Sequence, residues 1–127
     1  MPLLKWAQTY SYFILILLAW GLWGFFGKYA LKFISPVSLI LYETIGAIII
    51  QLIVVGYLIY SKTQLDANTT GISIAIISGV ISTIGVILFY FTLSKVRASI
   101  LVPLTALYPV VTVILSLIFL KEKVTLM

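Results

Sequence analysis

The feature that most constrains this chain is an uncharged stretch that runs from Ser99 to Leu120 and contains two prolines. At about 1.5 Å per helical residue, a helix of this length crosses the hydrocarbon core of a bilayer. Pro109 lies near the middle of the stretch, where its ring removes an amide donor and frees the carbonyl of Thr105. Because lipid cannot form a hydrogen bond with a free carbonyl, we expect the middle of this helix to face protein or water. Our hypothesis is that this helix lines a path through the membrane.

The composition extends this prediction to the whole chain. Hydrophobic residues make up 63% of the sequence and charged residues 9%. In a soluble domain about half of the residues are hydrophobic and about a quarter are charged. An integral membrane protein with the lipid bilayer as its surroundings is therefore predicted. With no cysteine and no histidine, we expect no disulfide framework, metal site or cofactor. The net charge of +5 does not indicate nucleic-acid binding, since the basic residues flank apolar runs.

Apolar runs and loop signals predict an all-α bundle of four transmembrane helices, over about 11–31, 36–60, 71–93 and 99–120. Ser35-Pro36 is a good start for the second helix, because serine caps helices and proline is tolerated at their first position. Asn68 opens an Asn-Thr-Thr glycosylation pattern in the polar loop 61–70, which we interpret as a solvated turn. Lys5 and Trp6 suit an interfacial start, and no cleavage site supports the alternative of a signal peptide. We expect residues 1–127 to form a single transmembrane domain.

Glycines in the first span and a stripe of small residues in the third predict close helix packing. The glycines expected at helix contacts are Gly21, Gly24, Gly27 and Gly79. Trp20 and Trp23 lie near the side of the first helix that carries its glycines. They fit two interpretations, namely helix packing with an aromatic belt, or the wall of a substrate cavity.

Glu43 is the acidic residue inside a predicted span, where contact with lipid would cost up to about 3 kcal/mol. We therefore expect it to face the bundle interior as a candidate proton or cation site. The alternative is that Glu43 lies near the headgroups, or pairs with Lys28 or Lys32 across a short loop. Gln51 is two turns deeper but rotated by about 80°, which favours an interhelical hydrogen bond. The candidate cavity-lining residues are Trp20, Trp23, Tyr42, Gln51, Tyr90, Thr105, Tyr108 and Pro109.

An ordered set of short motifs resembles the EamA-like transporters of the drug/metabolite transporter superfamily. The motifs are Trp20-Gly21-Leu22-Trp23-Gly24, Ser35-Pro36, Tyr42-Glu43-Thr44-Ile45-Gly46, Ala98-Ser99, Pro103-Leu104, Tyr108-Pro109-Val110 and Leu120-Lys121-Glu122-Lys123-Val124-Thr125. The resemblance covers nearly the whole chain and is strongest to the short single-repeat members. It implies a helical transporter of small organic solutes, built from a repeat of about five helices. Since the sequence ends at Met127, we expect the repeat to be incomplete, with Lys121-Glu122-Lys123 leading into its fifth helix.

The function favoured by the residues and the resemblance is proton- or cation-coupled transport or export of small organic metabolites or drugs. It would proceed by alternating access in a homodimer, in the plasma membrane of a prokaryotic cell. The basic residues divide four to four between the two sides of the membrane, namely Lys5, Lys62, Lys121 and Lys123 against Lys28, Lys32, Lys95 and Arg97. Because basic loop residues set orientation, this balance permits an antiparallel homodimer.

Two alternatives remain open at this stage. Four helices and balanced charges suit a cation exporter of the small-multidrug-resistance type. In such exporters, however, the acidic residue belongs in the first span, and the first span of this chain has no acidic residue. A non-transporting membrane subunit or fragment would use the glycines and polar groups for assembly alone. We expect no catalytic residues and no enzymatic activity, because no nucleophile–base pair is visible and the three acidic residues lie on separate segments.

Overall fold

The computed structural model describes the backbone of residues 2–121 and the side chains of residues 10–121. Its elements are α1 (Pro2–Ala30), α2 (Pro36–Tyr60), α3 (Thr69–Lys95), α4 (Ala98–Thr105), α5 (Tyr108–Leu115) and a π-helical turn (Ser116–Leu120). Within this described part, four stretches are long and apolar enough to cross a membrane: Tyr10–Ala30, Pro36–Tyr60, Thr69–Lys95 and Ala98–Leu120. The prediction of an all-α membrane bundle with four spans is confirmed.

Side-chain caps fix where α2 and α3 begin. The Ser35 hydroxyl accepts a hydrogen bond from the Ser38 amide at 3.3 Å, and Pro36 occupies the first turn. The Asn68 side chain accepts from the Gly71 amide at 2.9 Å. Asn68 therefore caps α3, and the loop that precedes it is the solvated turn that its composition predicts.

The end of α2 has the hydrogen bonds of a Schellman motif. The Thr63 amide donates to the Leu58 carbonyl at 3.2 Å, and the Lys62 amide donates to the Ile59 carbonyl at 3.1 Å. Lys62 has a φ of 51°, so it occupies the left-handed position that glycine normally fills at this point. A lysine held there carries a conformational cost that a glycine would avoid.

The fourth span is broken in its middle, as its prolines predict. α4 ends at Thr105 and α5 begins at Tyr108. The Leu107 amide donates to the Leu104 carbonyl at 3.2 Å and the Val110 amide to the Leu107 carbonyl at 3.0 Å, so the backbone tightens to i to i+3 bonds around the break. The Thr105 hydroxyl adds hydrogen bonds of 3.0 Å to the carbonyls of Leu101 and Val102.

The helices pack together at one end of the bundle. The buried hydrophobic side chains there are Leu39 of α2, Tyr90 and Leu93 of α3, and Leu101 of α4, and α3 contacts α1, α2 and α4. We call this region, residues 23–43 and 86–102, the packed end. Across the rest of the α2–α3 pair, residues 44–60 and 69–85 form what we call the open end, where every residue except Leu58 is exposed.

Some predictions fall outside the described residues. They are the interfacial side chains of Lys5 and Trp6, and the segment after Lys121 that would lead into a fifth helix, including Glu122, Lys123, Val124 and Thr125. Lys121 itself ends the π-helical turn with a left-handed φ of 53°.

Candidate functional site

Two glycines bring α1 against α3 and α4 at the packed end. Gly24 and Gly27 are both buried. A Cβ atom built on Gly24 would lie 3.7 Å from the Val102 side chain of α4, and one built on Gly27 would lie 2.7 Å from the ring of Tyr90 on α3. The second distance is far inside van der Waals contact. The close approach of α1 and α3 therefore requires a residue without a side chain at position 27.

This approach builds an aromatic cluster from α1 and α3. The ring of Trp23 stacks on Phe89 with centroids 5.0 Å apart, and it lies at 5.6 Å from the ring of Tyr90. Phe89 and Tyr90 meet edge to face at 5.7 Å. Tyr90 is 1% exposed, whereas the Trp23 ring remains 37% exposed. The cluster therefore has a rigid buried side and an accessible indole face.

Glu43 joins this cluster from α2. The indole N–H of Trp23 donates a hydrogen bond to the Glu43 carboxylate at 3.0 Å. The Tyr90 hydroxyl also interacts electrostatically with Glu43 and Trp23. Glu43 lies seven residues inside α2, which is about 10 Å along the helix axis. A half-buried carboxylate beside two aromatic side chains thus connects three helices just inside the packed end.

Lys28 does not take up the ion pair with Glu43 that the loop spacing allows. Its ammonium donates to the backbone carbonyls of Leu93 at 2.6 Å and Val96 at 2.9 Å, both at the C-terminal end of α3. Lys32 lies over the ring of Tyr29 at 5.2 Å from the ring centroid. Hence, among the described residues, the contacts of Glu43 are to aromatic side chains and those of the two lysines lie elsewhere.

The break in the fourth span lies near Trp20, the second tryptophan among the predicted site residues. Tyr108, the first residue of α5, has its ring 6.2 Å from the ring of Trp20. Pro109 follows it in the first turn of α5. The Thr105 hydroxyl is engaged with carbonyls of its own helix. Trp20, Tyr108 and Pro109 therefore form a second group, one helical turn along α1 from Trp23.

The remaining candidate residues are not part of either group. Tyr42 is 61% exposed although it is adjacent to Glu43, and Gln51 is exposed in the open end. A Cβ atom built on Gly21 or Gly79 would meet nothing within 4 Å. Within the part of the chain that the structure describes, the close helix contacts predicted for the glycines occur at Gly24 and Gly27.

Two residues of this region were not among the predicted site residues. Phe89 stacks on Trp23, and its signal in the sequence is the aromatic run Phe89-Tyr90-Phe91 at the end of the third span. The loop spacing suggests Lys28 as an alternative partner of Glu43, but the Lys28 ammonium binds carbonyls 65 and 68 residues further along the chain. No local pattern encodes a contact of that sequence separation.

Comparison with known proteins gives one family and one relative. The model of the EamA-like transporter family matches residues 8–127. An uncharacterized protein of Methanocaldococcus jannaschii is 34% identical over 113 residues, which are 89% of this chain and 80% of the relative. No solved structure matches the chain at a significant level.

Proposed function

The chain belongs to the EamA-like transporter family, and on that premise we propose that it carries small organic solutes across a prokaryotic plasma membrane by proton- or cation-coupled exchange at Glu43. The archaeal source of the relative supports a prokaryotic membrane. The coupling and the class of solute are our inference from the candidate site.

The observation that carries the proposal is the hydrogen bond of 3.0 Å from the Trp23 indole to Glu43, beside Tyr90. A carboxylate within a membrane span is costly unless it is paired or serves an ion pathway. Here its partners among the described residues are neutral donors and aromatic faces, so its charge is left to be balanced by a proton or by a cationic ligand. Both occupants would use the same oxygens, which is the requirement for coupled exchange.

The burial pattern supports access from the open end. The packed end closes one side of the Glu43 site with Leu39, Tyr90, Leu93 and Leu101. The open end leaves residues 44–57 of α2 and 69–85 of α3 exposed. In the proposed alternating-access cycle, this arrangement would correspond to the state that faces the open end, and the packed end would separate in the opposite state.

The test is transport in proteoliposomes with tetraphenylphosphonium as the probe cation and a pH-sensitive dye in the lumen. We expect an imposed pH gradient to drive uptake of the probe and to release protons in exchange. Glu43→Gln keeps the volume of the side chain but cannot exchange a proton, so coupled flux is lost while the protein still assembles.

Asp66→Asn is the matched control, since Asp66 is an acidic residue of the exposed loop between α2 and α3. Its coupled flux is expected to equal that of the parent. Unchanged coupled flux in Glu43→Gln would remove Glu43 from the mechanism. If neither the probe cation nor other solutes alter flux, thermal stability or tryptophan emission in the parent, the non-transporting subunit or fragment is the better account.

The proposal includes a homodimer, because the exposed small residues of α3 offer a surface for a second helix. Disulfide formation between single cysteines placed at Gly79, in a chain without cysteine, tests for such contact.

Glu43 lies on the second span, but its hydrogen bond to Trp23 brings the charge against the first span. This placement gives the small-multidrug-resistance-like alternative a geometric basis, and transport of the probe cation without metabolite transport would favour it.

A further inference from the structure

Lys28 makes the longest-range polar contacts among the described residues at the packed end. Its ammonium donates to the carbonyls of Leu93 and Val96 at 2.6 and 2.9 Å. The last carbonyls of a helix have no amide partner within the helix, and lipid offers none. A cation is also favoured at the negative end of the helix dipole. The Lys28 ammonium thus supplies the hydrogen bonds that the last carbonyls of α3 cannot form within their own helix.

These bonds continue the α1–α3 interface that forms the Glu43 site. Gly27, adjacent to Lys28, contacts Tyr90, which lies one turn before Leu93. Trp23, about one turn earlier on α1, contacts Phe89 and Tyr90. Lys28, Gly27 and Trp23 therefore meet α3 in consecutive steps, and a shift of the helices along their axes breaks all three sets of contacts together.

We propose that Lys28 is a positioning residue for the Glu43 site, with its ammonium fixing the register of α3 against α1 so that Tyr90 and Trp23 face Glu43. The proposal rests on the proposed function in treating Glu43 as the site of exchange. Lys28 acts through Tyr90 and Trp23, and its own bonds go to backbone carbonyls.

The first measurement uses Trp23 as the sole tryptophan, in a protein carrying Trp6→Phe and Trp20→Phe. A carboxylate beside the indole nitrogen changes the emission of the ring, so Glu43→Gln shifts the emission of Trp23 in this background. In Lys28→Met, α3 is no longer held in register against α1. The shift in Trp23 emission caused by Glu43→Gln is then lost, although the helical circular dichroism is retained. Lys32→Met is the matched control, since Lys32 lies over Tyr29 of its own segment, and it keeps the shift.

The second measurement uses disulfide formation between cysteines at Gly24 and Val102, where a Cβ on Gly24 would lie 3.7 Å from the Val102 side chain. Lys28 also binds Val96 in the turn that leads into α4. Lys28→Met is therefore expected to slow oxidative cross-linking on the order of tenfold, because local opening between α1 and α4 keeps the two cysteines apart for most of the time. Lys32→Met cross-links at the parental rate.

The assignment is overturned if a folded Lys28→Met protein keeps either the full Glu43-dependent shift of Trp23 or the parental cross-linking rate. It is also overturned if Glu43→Gln leaves Trp23 unchanged in the parent, because no Glu43–Trp23 contact then exists to be positioned. Where Lys28→Met does not fold, Lys28→Gln, which keeps two N–H donors with a shorter reach, is judged by the same two outcomes. None of these readouts requires transport, so failure of the Glu43→Gln transport test leaves them separately interpretable.

Discussion

The packed end and the open end are both built from predominantly apolar membrane helices, yet apolar side chains are buried at the packed end and exposed at the open end. At the packed end Tyr90 and Leu93 are almost fully inaccessible, while at the open end Ile59 and Ile81 are largely exposed. Lipid is as apolar as the side chains, so apolarity gives no reason for helices to associate in a membrane. The two regions differ in close backbone approach and polar bonds: Gly27 and Lys28 supply them at the packed end, whereas Gly79 faces open space.

The largest contrast is expected between a leucine of the packed end and a leucine of the open end. Leu93 of α3 is 0% exposed and Leu52 of α2 is 63% exposed. Leu93→Ala leaves a cavity and should destabilise the protein by about 2 kcal/mol, the lower end of the range for buried leucines, because the unfolded helices remain in lipid. Leu52→Ala exchanges one lipid contact for another and should have little effect. Reversible unfolding in mixed micelles measures both, and equal losses would contradict the division into two regions.

A glycine pair tests the contribution of close approach. Gly27→Ala forces the Tyr90 ring to move, because the new Cβ atom would lie 2.7 Å from it, and overpacking of this kind costs about 1–2 kcal/mol. In the monomer Gly79→Ala meets nothing within 4 Å and should be neutral or slightly stabilising, since alanine is the better helix former. In the proposed homodimer the added methyl group would instead weaken the contact of α3 with its partner helix. Thermal unfolding of the two variants compares them directly. Destabilisation by Gly79→Ala of the size expected for Gly27→Ala would show that the open end is covered in the bilayer.

Trp20 and Trp23 of α1 separate hydrogen bonding from ring packing. Trp23→Phe keeps an aromatic ring against Phe89 but removes the N–H that Glu43 accepts, and the loss should be about 1–1.5 kcal/mol. Trp20→Phe keeps a ring against Tyr108 and should cost a few tenths of a kcal/mol, as for an aromatic pair that is largely retained. Unfolding in micelles measures the difference. Combining Trp23→Phe with Glu43→Gln should give less than the sum of the separate losses, and additivity would argue against the bond.

The smallest effect is expected at the end of α2. Lys62→Gly relieves a left-handed backbone that costs lysine about 1 kcal/mol, part of which is offset by the greater freedom of glycine in the unfolded chain. A net stabilisation of about 0.5 kcal/mol is expected. Lys32→Gly is the comparison at the packed end and should not stabilise. Differential scanning fluorimetry resolves the sign, and a loss of stability in Lys62→Gly would mean that the lysine head group contributes more than its backbone costs.

The fold was predictable from the sequence because its signals are local. Ser35-Pro36 identified the start of α2, and Pro109 identified the break before α5, since capping and proline chemistry act over a few residues. The first helix begins at Pro2 rather than near residue 11, because hydropathy reports the part of a helix in lipid and not its extension beyond the membrane.

The site was only partly predictable. Its individual members Trp23, Glu43 and Tyr90 stand out by residue type and position in the spans. Their grouping depends on which faces of three helices meet, and neither Tyr42 nor Gln51 could be separated from them by spacing alone. The bond from Lys28 to Leu93 spans 65 residues, so it follows from tertiary packing and has no counterpart in local sequence.

That separation also sets an order of events during synthesis. α1 leaves the ribosome before α3 exists, and at about 5–20 residues per second the acceptors of Lys28 follow it after roughly 3–13 seconds. During this interval the ammonium has no carbonyl partner in α3 and is stable only at the water–headgroup boundary. The packed end can therefore form only after the third helix has entered the membrane.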